Sequence, residues 1–481
     1  MEARENCGVV AAYSLSGSNV IPMVIDCLRA LQHRGQEAWG IAVPKMVPYK
    51  RYGLVSKAAP SFSKIVERYA SRAAIGHVRY STVGKSNLRN AQPLKVRDLC
   101  IAHNGTISNF DELASMTGLC SFTPQSMSDT LVAATRLVDL LGKSNDMPSA
   151  LDILRREIVG SFAFTFVTND GRVYAARDPK GFRPLVLGYH EESSTYIVAS
   201  ESCALDAVGA ELLRDVEPGE LVTMDDSGLS SEIFAVERPH AHCAFEYTYF
   251  AHPSSVMEGI SIYSARKRIG RVLARKYQLD ADIVIPVPDS ARPAALGYAE
   301  EMGIPFEEGL MKDRYSRKGP IRSFIEPYQH DRMEIVRRII PIRSVIEGRD
   351  VIVIDDSIVR GTSSISIVNS LRSAGARSIK MLVCYPPIRF PCYAGIDFPS
   401  QEELIAYRVS SEKECSDEGE LGMLVAKAIG VEFVGYNDME SLASAIGLPK
   451  EELCFTCHTG NYENLKIKPL FRSRQQLKGG E

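Results

Sequence analysis

The residues with the clearest chemical promise lie in VIVIDDSIVRGTSS, residues 351–364, where four apolar residues lead into adjacent acids, Asp355 and Asp356. Acids at the carboxyl end of a parallel strand stand where open α/β sheets bind their ligands. The following loop carries Ser357, Arg360 and Gly361 and enters a helical pattern at Thr362 and Ser363. Amides and hydroxyls at a helix start suit a phosphate, because the orphan N–H groups and the helix dipole both favour an anion. Read blandly, the same stretch is a strand, a turn and a helix with its acids in water. No GxxxxGK[ST] or GxGxxG stands at a strand end, so P-loop and dinucleotide-binding readings lack support. The chain also holds 11 cysteines, an odd number that fits nucleophilic or metal chemistry better than a disulfide framework.

The loop resembles the phosphoribosyl pyrophosphate loop of type I phosphoribosyltransferases. That resemblance implies that Asp355 and Asp356 meet the ribose hydroxyls and Mg2+, while the residues from Ser357 to Ser363 hold the 5-phosphate. Near the amino terminus, Cys7-Gly8-Val9, HRGQEAWGIAV (33–43), GHVRYSTVG (76–84), AHNGTISN (102–109) and SDT (128–130) follow in one order. Together they resemble the glutaminase domain of class II amidotransferases, which are N-terminal nucleophile hydrolases. Singly, Asn104-Gly105 is a turn dipeptide, Arg79 a surface ion-pair residue and Asp129 a helix cap. The resemblance makes Cys7 the nucleophile, Asn104 and Gly105 the oxyanion hole, Arg79 the partner of the glutamine carboxylate and Asp129 that of its ammonium. Arg34 and Gly35 line the same site. It also implies a leader, residues 1–6, whose removal frees the Cys7 α-amino group as the base.

The two motifs in this order resemble the glutamine phosphoribosylpyrophosphate amidotransferases over nearly the whole chain. The implied reaction converts glutamine, water and phosphoribosyl pyrophosphate to 5-phosphoribosylamine, glutamate and pyrophosphate, the first step of de novo purine biosynthesis. Ser290 in PVPDS matches a hydroxyl offered to Mg2+ beside the acid pair. Arg314, Tyr315 and Arg322 match the lid over the pyrophosphate, although DRYSRKGPIRSFIEP inserts residues between Tyr315 and Arg322 and has Ser323 for threonine. Cys243, Cys392, Cys454 and Cys457 match the iron-sulfur branch and imply a 4Fe-4S cluster. On ligand chemistry alone zinc would serve four thiolates too. Feedback by purine nucleotides and a homo-oligomer, dimer or tetramer, are further implications. Competing readings are a regulatory module that only senses phosphoribosyl pyrophosphate and an amidotransferase acting on another phosphosugar.

Positioning these residues requires two frameworks. Up to about residue 237, strand-like runs (GIAV, AIGHV, CIAHN, SFAFTFV, RVYAAR, LVLGY, TYIVAS, ELVTM) mix with helical patterns at 128–141 and 150–157, and with a helix capped by Ser18 and ended at Gly35. Beyond it, IVIPVP, VIVIDD and SIKMLVCY alternate with helices, the mark of a parallel sheet covered on both faces. The expected fold class is an αββα sandwich of the N-terminal nucleophile type, residues 7–237, and a parallel-sheet phosphoribosyltransferase domain, 238–445. After about residue 400 the pattern weakens towards a tail, 446–481, that carries two of the cysteines and ends in the loosely ordered FRSRQQLKGGE. A length of 481 residues suits this division, and 45% hydrophobic with 24% charged residues is ordinary for a folded protein. The net charge of -3 gives no basic field for nucleic acid or anionic membrane. No apolar run reaches membrane-spanning length and no signal peptide is apparent, so a cytoplasmic protein is expected.

Overall fold

The computed structural model describes residues 7–56, 62–79, 88–117, 128–144, 146–312, 339–396, 398, 400–412 and 417–465. The leader 1–6, the lid residues Arg314, Tyr315, Arg322 and Ser323, and the FRSRQQLKGGE end lie outside the described residues.

The first half is two antiparallel sheets packed face to face, of seven and six strands. In the seven-stranded sheet Gly8–Ser14 lies between Ala73–Arg79 and Thr195–Ala199. The period of two sorts its side chains: Val9, Ala11 and Tyr13 face the second sheet, while Val10 and Ala12 face the helix Ile21–Ala30. In the six-stranded sheet Leu99–Ile107 pairs with Gly160–Thr168. Phe162, Phe164 and Phe166 of the latter pack outward under the helices Asp129–Ser144 and Met147–Glu157. Because both sheets are covered on both faces, strands such as SFAFTFV are apolar almost throughout despite being antiparallel. The layering is the expected αββα sandwich. Ser18 is not the helix cap: the helix starts at Ile21, with Pro22 in its first turn, and the Asn19 side chain accepts from the Ile21 amide instead.

The second half is a four-stranded parallel sheet in the order Ile283–Pro286, Asp350–Asp355, Ser378–Val383, Phe433–Tyr436. Val284, Ile352 and Ile354 face the helices Ile262–Lys276, Arg292–Met302 and Met439–Ile446; Ile283, Ile285, Val351 and Val353 face Thr362–Ser373 and Glu418–Ile429. The chain beyond residue 400 is more regular than its pattern suggests, since it supplies the fourth strand and two of these helices. Among the described residues no helix is long and apolar enough to cross a membrane.

Candidate functional site

Cys7 immediately precedes the strand Gly8–Ser14, whose Gly8 pairs with Val78, so Cys7 and Arg79 stand together where neighbouring strands end. Arg79 is buried, and Gly35 packs against its backbone so closely that an added Cβ would lie 2.7 Å from the Arg79 main chain. Only glycine permits that approach. The other sheet brings Asn104 and Gly105. His77, two residues before Arg79, donates from Nε2 to the His103 carbonyl oxygen across 3.2 Å, which ties the two sheets one residue before Asn104. Asn104 is 1% exposed, yet its Nδ2 has no hydrogen-bond partner among the described residues. A buried donor is nearly always satisfied, so this one is available to an acceptor that the described residues do not supply. Gly105 has φ +143, and a side chain there would strike the Ser161 carbonyl.

Asp129 opens the helix Asp129–Ser144. Its carboxylate accepts from the amides of Ile107, 3.1 Å, and Thr130, 2.7 Å, which fastens the helix start to the strand that carries Asn104 and Gly105. His103 is wedged between Thr130 Oγ1 and the Ser161 carbonyl, each at 3.2 Å, and burial holds its pKa below the ordinary histidine value. The imidazole is therefore a neutral brace.

Arg34 lies beside Cys7. Its guanidinium is wholly buried and donates to the Cys7 carbonyl oxygen from Nε, 3.2 Å, to Glu201, and to both carboxylate oxygens of Glu246 at 2.8 and 3.1 Å. Burial opposes its charge, but Glu246 and Glu201 together raise it above the ordinary guanidinium value. His33, Glu201 and Cys203 lie close enough to suggest a metal site. However, the Glu201 carboxylate already accepts from His33, Arg34, Ser255 Oγ and the His252 amide, and the adjacent guanidinium opposes a cation.

In the second half Asp355 and Asp356 sit buried at the carboxyl end of the central strand Asp350–Asp355. Asp356 accepts from Ser290 Oγ and Ser357 Oγ, so the strand end gathers two carboxylates and two hydroxyls. This is a hard-oxygen donor set of the type that holds Mg2+. Gly361 caps the helix Thr362–Ser373, whose first turn supplies Thr362 and Ser363. Arg360 pairs with Glu403 through Nε at 2.6 Å.

The four expected cysteine ligands also converge. Cys243 and Cys454 are partners in a two-stranded parallel pair, His242–Cys243 with Leu453–Cys454. Cys392 accepts the Ala394 amide at 3.4 Å, and Cys457 lies 3.3 Å from the Tyr385 hydroxyl. Burial, then the neighbouring sulfurs, push the Cys457 thiol well above its usual range. Burial likewise raises Cys454, to about 11. Four thiols gathered in this way have the chemistry to hold a zinc ion or an iron-sulfur cluster.

Sequence reasoning missed His77, His103, Glu201, Arg183 and Glu246. Glu246 falls three residues after Cys243, but a lone glutamate there carries no local signal of burial.

A model of the glutamine amidotransferase domain family matches residues 77–207. An amidophosphoribosyltransferase of Methanocaldococcus jannaschii is 40% identical over 479 residues, covering 95% of this chain and 97% of the relative. One from Archaeoglobus fulgidus is 39% identical, with the same coverage of each chain. Among solved structures, the glutamine phosphoribosylpyrophosphate amidotransferase from B. subtilis complexed with ADP and GMP superposes with a TM-score of 0.80 at 36% identity, covering 95% of this chain and 97% of that one. A structure described as the allosteric regulatory enzyme of purine biosynthesis gives 0.81 at 36% identity, covering 95% and 96%.

Proposed function

This chain belongs to the amidophosphoribosyltransferases, and from that premise we propose how its own residues divide the glutamine-dependent amination of phosphoribosyl pyrophosphate in purine biosynthesis. The orphan amide of Asn104 beside the Cys7–Arg79 edge is the observation that carries the first half-reaction. Glutamine lies with its α-carboxylate on Arg79, which suits bidentate pairing, and its ammonium on Asp129. The Cys7 thiolate attacks the side-chain amide carbon, and Asn104 Nδ2 with the Gly105 amide receives the oxyanion. A thiol of pKa about 8.5 needs a base, and an α-amino group of pKa about 7.7 to 8.0 supplies one once residues 1–6 are removed. Collapse of the tetrahedral intermediate breaks the C–N bond and releases ammonia, leaving a glutamyl thioester on Cys7 that water hydrolyses to glutamate and the free thiol.

In the second half-reaction ammonia displaces pyrophosphate at the anomeric carbon. The hydroxyls and first-turn backbone of Thr362 and Ser363 hold the 5-phosphate, with Ser357, Arg360 and Gly361 shaping the loop. Asp355 and Asp356 orient the ribose hydroxyls. Mg2+ would be held by Asp355, Asp356 and Ser290, and when bound it offsets charge on the leaving pyrophosphate. Arg314, Tyr315 and Arg322 are assigned to the lid on the sequence resemblance. Cys243, Cys392, Cys454 and Cys457 would hold a 4Fe-4S cluster that pins residues 453–457 to residues 242–243, a structural role. Purine nucleotides are proposed as inhibitors, supported by the ADP and GMP bound to the B. subtilis relative. A homo-oligomer in the cytoplasm completes the reading.

The test is phosphoribosylamine formation by purified protein, with pyrophosphate release dependent on both glutamine and phosphoribosyl pyrophosphate. Glutamine hydrolysis that yields no phosphoribosylamine in the presence of phosphoribosyl pyrophosphate, or amination of a different phosphosugar in its place, would overturn it.

A further inference from the structure

Four charged side chains, Arg34, Arg183, Glu201 and Glu246, form a network in which each is at most 2% exposed. Two cations meet two anions, so the set is neutral, as a low-dielectric interior demands. Three of the four come from the amino-terminal sandwich. The fourth, Glu246, belongs to the helical segment Glu246–Phe250 at the start of the second half, and it receives both cations. Arg34 grips both of its oxygens, and Arg183 donates to the same carboxylate at 3.0 Å. From Arg34 a single step, Nε to the Cys7 carbonyl oxygen, reaches the nucleophile residue. On its far side Arg183 donates from Nε to the Ala394 carbonyl oxygen at 2.9 Å, and the Glu246–Phe250 segment is anchored by buried Arg266, whose Nε donates to the Tyr247 carbonyl oxygen at 2.9 Å. Arg266 lies in the helix Ile262–Lys276, which packs on the parallel sheet.

We infer that Glu246 is a positioning residue for glutamine hydrolysis: a carboxylate from the synthase half that fixes Arg34, and through it the main chain of Cys7, in the geometry for attack. The inference rests on the glutaminase reading of Cys7. In this role Glu246 acts through Arg34 and not on the substrate or the reacting sulfur. A bidentate carboxylate fixes the plane of a guanidinium as well as its place, and in that placement Nε meets the Cys7 carbonyl. The attacking atom is thereby oriented by a group from the domain that consumes its product. Small misplacements of a nucleophile cost large factors in rate without weakening substrate binding, because the contacts at Arg79 and Asp129 are untouched.

The experiment compares parent, Glu246→Gln and Glu246→Asp enzymes with glutamine and with ammonia as nitrogen source. Glu246→Gln should lower kcat with glutamine by about ten- to hundredfold, leave KM for glutamine within about threefold and keep ammonia-dependent synthesis within about twofold. Glu246→Asp keeps the charge with a shorter reach and should lose less of the same kcat. Alkylation of Cys7 by iodoacetamide should slow in the same order. If Glu246→Gln does not fold, Glu246→Asp carries the comparison. Equal loss with both nitrogen sources, or a rise in KM at unchanged kcat, would overturn the inference. A parent enzyme inactive with glutamine would sink the glutaminase reading itself.

Discussion

His77 and His103 join the two sheets of the amino-terminal sandwich, the His77 Nε2 proton going to the His103 carbonyl oxygen over 3.2 Å. The bond lies under the site, since His77 is two residues from Arg79 and His103 is next to Asn104. Burial, and after it the Arg79 guanidinium, press the His77 imidazole down to about 3.

This gives a pH dependence of stability with a defined sign. An unfolded histidine titrates at about 6.5, so below that pH the unfolded chain binds a proton that folded His77 refuses. The stabilisation is complete above about 6.5 and is lost as pH falls, by about 1.4 kcal/mol per unit, until the folded pKa is reached. His242, lowered to about 4 by burial and then by Arg177, acts in the same direction. Replacing His77 by Gln should flatten the fall in unfolding midpoint between about pH 6.5 and 4.5. An undiminished slope in that variant would remove His77 from the account.

Separation of the half-reactions gives a second expectation. Cys7→Ala should abolish glutamine-dependent synthesis and leave synthesis from added ammonia, because the acid pair and the phosphate loop lie on the other sheet system. Asn104→Ala should lower glutamine-dependent kcat by about 100- to 1000-fold with a smaller change in KM, the mark of a donor used in the transition state. Steady-state kinetics with both nitrogen sources decide both variants. Loss of the ammonia reaction in a folded Cys7→Ala enzyme would contradict the separation.

These residues were legible because their motifs are local. Asp355-Asp356 with Gly361-Thr362 is one strand, one turn and one helix, and the sequence shows all three within 14 residues. Asn104 and Gly105 ride on a single strand. The support beneath them was not legible, because Arg34 meets Glu246 across 212 residues and His77 meets His103 across 26 between different sheets. Nothing in an isolated glutamate says that it will be buried. The short strands Leu94–Val96 and Gly228–Ile233 escaped for another reason: they lie at the edges of the six-stranded sheet, and Gly228–Ile233 is largely exposed, so neither carries a long apolar run. The same holds for Phe433–Tyr436, four residues interrupted by Gly435, which takes its place only by pairing with Ser378–Val383.

Substituting Asn for Asp355 and Asp356 should eliminate synthesis from either nitrogen source while leaving glutamine hydrolysis chemically competent. The double variant keeps the shape of both side chains and removes the two negative charges that would face ribose hydroxyls and Mg2+. Pyrophosphate release at saturating substrate measures it. Turnover equal to the parent would reject the strand end as the phosphoribosyl site.

The cysteine site yields the last expectation. Cys243 and Cys454 face each other across a two-stranded parallel pair whose other register partners are His242 and Leu453. A cluster bridging them would add a covalent tie between residues 453–457 and residues 242–243. Protein prepared without oxygen should therefore contain about four iron atoms per chain and lose them on Cys454→Ser. Hydrogen exchange of the amides at 453–457 should then accelerate, because the pair loses its bridge while the sandwich and the parallel sheet remain. Stoichiometric zinc in the parent protein would overturn the cluster assignment. Unchanged exchange after iron loss would show that the strand pair stands without it.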